Sequence, residues 1–157
     1  MSTRSNIAYE EDGVVKVAFC RQDGYLDHTG RMLFDHYNSF EKAKELVELG
    51  SFQSIKPDVE SIGKNSGSLS HHLNTRTDTY RSIRSYMYHV DAQEIEYIYM
   101  WEKKMWWFAQ SVALDTWEEP EQGYLQFVCY HSKFEPLGKQ LAFWDFDNPT
   151  DEQGAYV

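Results

Sequence analysis

The chain has 157 residues, 16% of them aromatic, and a net charge of -10. That length suits one domain, residues 1–157, able to bury a core without metals or disulfides. The lack of a basic surplus argues against direct nucleic-acid binding, which needs cations to displace the counterions around phosphate. Cys20 and Cys129 lie far apart, no apolar run approaches the roughly 18 residues of a membrane span, and the start MSTRSNIA is not an apolar leader. A soluble intracellular protein with reduced thiols is expected.

In chain order, Ser5 to Glu11 and Val14 to Cys20 read as the arms of a β-hairpin around Asp12-Gly13. Asp-Gly suits a two-residue turn because both central positions need φ > 0. In the second arm Val15, Val17 and Phe19 alternate with Val14, Lys16 and Ala18, so one side should be well buried and the other half-buried. The loop from Arg21 to Asp27 holds a second turn, Asp23-Gly24. A helix then begins near His28 or Thr29, with Met32, Leu33, His36 and Tyr37 on one stripe. Asn38-Ser39-Phe40-Glu41 resembles a capping box with Asn38 as the cap. The helix after it turns Ala43, Leu46, Val47 and Leu49 inward and stops at Gly50.

From Ser51 the composition turns polar. The cluster Phe52, Ile55, Val59 and Ile62 precedes Ser- and Asn-rich sequence holding His71-His72, and a flexible polar loop over about 56–79 is expected. The aromatic stretch after Tyr80 leads into Glu94–Trp101, a turn at Glu102-Lys103-Lys104, and Met105–Gln110. Period two puts Ile95, Tyr97, Tyr99 and Trp101 on one face of this second hairpin, and Glu94, Glu96, Ile98 and Met100 on the other. Tyr124 to His131 reads as a further strand, Leu141 to Phe146 as a short apolar strand or packing segment, and 147–157 as a loose acidic tail. The pattern predicts an α+β fold: an antiparallel sheet of about five strands with two helices packed on one face.

Charge is uneven. Residues 1–50 hold nine acids and six bases, 51–90 three and five, and 91–157 thirteen and four. Acids with neighbouring rings mark a candidate partner-binding surface: Asp115, Trp117, Glu118, Glu119, Glu121, Asp145 and Asp147. Acids supply attraction to a basic partner, and aromatic side chains anchor interfaces. A second candidate is an anionic-ligand site at the Asp23-Gly24-Tyr25 loop, with Arg4, Arg21, Arg31 and His36 around it and Arg76 as a further cation. Cys20 beside Arg21 and His28 could be an activated thiol, although a buried strand cysteine is the plainer reading. Of the possible metal ligands His28, His36, His71, His72, His89, Cys129 and His131, Cys129 and His131 share a strand face and His89 on a neighbouring strand could be a third, but no paired spacing marks a zinc site. Walker, dinucleotide, nucleophile-elbow and HExxH patterns are absent, so no catalytic residues, metal or cofactor are assigned.

One resemblance stands out. Ser2-Thr3-Arg4-Ser5, Glu11-Asp12-Gly13, Cys20, Asp23-Gly24-Tyr25, Gly30, Leu33, His36-Tyr37 and Leu49-Gly50 follow in the order seen in a family of small, uncharacterised tailed-bacteriophage proteins. The likeness covers about residues 2–55 and, loosely, Tyr97–Trp107. That family usually places Pro after DGY; this chain has Leu26-Asp27-His28-Thr29. The resemblance implies a phage protein acting in the host cytoplasm and no particular activity. Joined to the charge pattern, it leads to an accessory protein that binds and inhibits a host protein with a basic surface, in counter-defence or host takeover. The alternative is a binder of, or enzyme on, a nucleotide-like anion at the Asp23-Gly24-Tyr25 loop.

Overall fold

The computed structural model describes residues 3–65, 77–114, 128–151 and 153–155. Strands β1 (Ser5–Glu11) and β2 (Val14–Cys20) form the expected hairpin, paired from Ser5↔Cys20 to Glu11↔Val14. Both of its turn residues take positive φ, 53° at Asp12 and 86° at Gly13. After β2 the chain makes one π-helical turn, Leu26–Gly30, and runs directly into α1 (Arg31–His36). Helix α2 (Phe40–Glu48) is capped by Ser39, whose Oγ accepts from the Lys42 amide at 3.2 Å, and not by Asn38 as the capping box suggested. Its buried residues are Ala43, Leu46 and Val47, while Leu49 stands 40% exposed because the helix has ended before it.

Within the expected polar loop lies a helix, α3 (Val59–Asn65), capped by Asp58, whose carboxylate accepts from the Ser61 amide. Phe52, Ile55 and Ile62 are buried. His71, His72 and Arg76 lie outside the described residues. A short strand, β3 (Asp78–Tyr80), pairs with β2, and a helix not anticipated from the sequence, α4 (Ile83–His89), follows it. Strands β4 (Tyr97–Glu102) and β5 (Met105–Leu114) form the second hairpin, with Lys103 and Lys104 both at positive φ. Strands β6 (Val128–His131) and β7 (Glu135–Pro136) each pair with β5, and α5 (Leu137–Asp147) ends the ordered elements.

The fold is α+β, as expected, but the sheet is mixed. Its strand order is β3-β2-β1-β4-β5-β6, with β7 also on β5, and β1 runs parallel to β4. Five α-helices occur among the described residues, on both faces of the sheet. The Leu141–Phe146 segment is part of α5, not a strand. Pro136 stops β7 and suits the start of a helix because it has no amide hydrogen to leave unpaired.

Two cores result. On one face Ile7, Tyr9, Cys20, Tyr99, Trp101 and Phe108 meet Leu33, Leu46, Leu137 and Leu141 of the helices. On the other, Ala8, Val15, Val17, Ile98 and Met100 meet Tyr86 of α4 and Ile95. Ile95 therefore lies opposite Tyr97 and Tyr99, not beside them. The Ile95 amide donates to the Asp91 carbonyl at 2.8 Å, so the chain is still turning there and the period of two begins only at Tyr97.

The many rings fit this core because their polar atoms are tied down. Tyr99 Oη donates to the Gly24 carbonyl (2.7 Å), Trp106 Nε1 to the Tyr37 carbonyl (2.9 Å) and Tyr37 Oη to the Lys56 carbonyl (2.6 Å). Each contact removes the cost of burying an unpaired donor; the first two link the sheet to a loop and to the end of α1, and the third links that helix end to the segment before α3.

A Cβ at Gly24 would lie 2.7 Å from the Ser5 side chain and 3.0 Å from the Thr3 carbonyl, whereas one at Gly13 would meet nothing within 4 Å. Gly24→Ala should therefore cost about 1–3 kcal/mol through overpacking. Gly13→Ala should cost about 1 kcal/mol, from its left-handed backbone alone. Urea unfolding midpoints of the two variants read the difference, and a Gly24→Ala protein as stable as the parent would contradict the packing described.

Candidate functional site

The loop singled out in the sequence is held tightly. Arg21 and Gln22 amides donate to the carbonyls of Phe52 and Gln53, and the Gly24 amide donates to Thr3. Thr29 Oγ1 donates to the Asp23 carbonyl at 2.7 Å, and Asp23 itself takes φ 56°. The result presents Tyr25 at 41% exposure, its ring 5.8 Å from that of His28. Arg4, Arg21, Asp23 and His36 are exposed. Arg31 turns elsewhere: its guanidinium binds Asp145 through two bonds, 2.6 and 3.1 Å, and Asp27 at 2.9 Å. These bonds tie α1 to α5 and occupy the donors that an anionic ligand would need.

Cys20 is fully buried, with Sγ 3.4 Å from the Gln22 carbonyl oxygen. Burial pushes its thiol up to about 11, so it stays protonated and unreactive at neutral pH. The activated-thiol arrangement is not formed.

The other candidate ligands also have ordinary roles. The Nε2–H of His131 donates to the Ile95 carbonyl at 2.8 Å, and Nδ1 of His89 lies 2.7 Å from the Ser85 carbonyl oxygen. His89 belongs to the last turn of α4, not to a strand beside β6. Among the described residues no three His, Cys, Asp or Glu side chains gather as a metal site. No helix among them is long and apolar enough to cross a membrane.

Of the partner-binding residues, Asp115, Trp117, Glu118, Glu119 and Glu121 lie outside the described residues. Asp145 and Asp147 sit on α5, the first paired with Arg31 and the second exposed at the helix end.

The structure adds a feature that periodicity did not reveal. An open groove of about 490 Å³ runs beside β6, lined by Met87, Val90, Asp91, Ala92, Cys129, Tyr130 and His131. A smaller one of about 220 Å³ lies next to it, lined by Glu96, Tyr97, Gln110, Ser111, Ala113 and Cys129. The two share Cys129, each carries one carboxylate, and Tyr130 stands 45% exposed. Residues from α4, the turn before β4, β5 and β6 build this edge, so only the strand order could have located it. No known protein family, curated protein or solved structure matches the chain.

The two cysteines should separate cleanly. A thiol reagent at pH 8 should modify half-buried Cys129 quickly and Cys20 only on unfolding. Fast labelling that persists in Cys129→Ser would contradict the burial of Cys20.

Proposed function

We propose that the chain is a phage-encoded accessory protein that binds and inhibits a host protein with a basic surface, presenting acids where that protein meets nucleic acid. The observation that carries this reading is the groove edge at β6. Asp91 and Glu96 line it, Tyr130 is half out of it, and the chain joining β5 to β6 contains Asp115, Trp117, Glu118, Glu119 and Glu121 in its sequence. Exposed rings among carboxylates combine anchoring area with attraction to cations. The phage assignment rests on the N-terminal motif order alone. Acting by occupancy, such a protein needs no catalytic group.

The anionic-ligand reading at Tyr25 has weaker support. Tyr25 and Arg21 are accessible, but Arg31 is already bound by two carboxylates.

The test is capture from host lysate with the intact protein, followed by a triple variant, Glu118→Lys with Glu119→Lys and Glu121→Lys. One host protein should be retained in stoichiometric amount at low salt and released near 1 M salt, where the Debye length falls to about 3 Å. The triple variant should lose that protein while melting like the parent. Equal capture by parent and variant would contradict the proposal.

A further inference from the structure

Helix α5 is apolar on two sides. Its inner side buries Leu137 and Leu141 in the helical core. Directly opposite, Phe143 is 55% and Phe146 85% exposed, with Ala142 and Lys139 also exposed beside them. The patch continues onto α1. Gly138 has no side chain, and a Cβ there would lie 3.0 Å from the ring of Phe34, which is itself 40% exposed. The Arg31–Asp145 pair holds the two helices together at this seam. A helix with apolar residues on both sides ordinarily has both covered.

The charges along the helix indicate the cover. Lys139 and Asp147 lie four residues before and four residues after Phe143. Lys139 Nζ already stands 5.8 Å over the Phe143 ring. A second α5 laid antiparallel, with a two-fold axis at Phe143, brings Lys139 of each copy to Asp147 of the other. In that register Phe146 lies level with Gln140 of the opposing helix and within a turn of the small Ala142. A surface that complements itself under a two-fold rotation is what an isologous dimer requires. We infer that the outer face of α5 is a homodimer interface, formed by Phe143 and Phe146 and set in register by reciprocal Lys139–Asp147 pairs.

The three exposed rings offer roughly 300–400 Å² per copy, taking the usual area of a phenylalanine. That is well below the roughly 800 Å² per partner of standard stable complexes, so association is expected in the micromolar range. Each copy carries a charge of -10, whose repulsion is largely screened at about 0.15 M salt. The larger groove beside β6 is lined by Met87 and Val90, which pack against the α4 core on the other face of the sheet, so this inference rests on different residues from the host-binding surface.

Sedimentation of the full chain from about 1 to about 200 µM in about 0.15 M salt reads the result. The expected outcome is a concentration-dependent monomer–dimer equilibrium. Phe146→Glu should weaken it at least about tenfold, with unchanged circular dichroism, because that ring is mostly exposed in the protomer. Lys139→Glu and Asp147→Lys should each weaken it about threefold or more, and the two together should restore it. A monomer throughout the range, a dimer indifferent to Phe146→Glu, or a charge-swapped double variant no better than the singles would overturn the inference.

Discussion

The parallel pairing of β1 with β4 is the constraint on which the rest of the structure depends. Ser5 to Tyr9 run beside Tyr97 to Trp101, and nearly every residue of that ladder is buried. Parallel strands at the centre of a sheet need cover on both faces, since neither face can be left to water. The helices meet that need on either side: α1, α2 and α5 over Tyr99 and Trp101, α4 and the Asp91–Ile95 turn over Ile98 and Met100. The ladder also reaches the Tyr25 loop. The Arg4 carbonyl accepts from Glu96, the neighbouring Thr3 carbonyl accepts from Gly24, and Tyr99 Oη closes onto the Gly24 carbonyl.

What could be read in advance was local. Both hairpins were legible because each turn lies between its own two strands, and Asp12-Gly13 states its geometry in two residues. The parallel pair was not, because its partners are about ninety residues apart and backbone hydrogen bonds leave no mark on side-chain order. Helix α5 was hidden for a different reason. Leu137 and Leu141 on one side and Phe143 and Phe146 on the other erase the single stripe by which a helix is recognised. The bond from Arg31 to Asp145 spans 114 residues, so the Tyr25 loop could be recognised as a shape while the fate of its best cation could not.

Two surfaces among the described residues differ in chemistry. The β6 edge combines carboxylates with a half-exposed ring and suits a cationic protein. The outer face of α5 combines rings with one charge of each sign and suits a copy of itself. They are built from different residues: the larger groove uses Met87 and Val90 of the α4 side, and the α5 face uses Phe143 and Phe146. A dimer would present two acidic edges to its target, which strengthens attachment if both can be engaged at once.

Native-state hydrogen exchange tests the central pairing most directly, since it ranks backbone amides by the free energy of the opening that exposes them. The slowest amides are predicted to lie in β1 and β4 together and to exchange only by global unfolding, with those of β3 and β6 released earlier. A protein in which the β4–β5 hairpin exchanged through its own low-energy opening, while β1 and β2 stayed protected, would contradict the account.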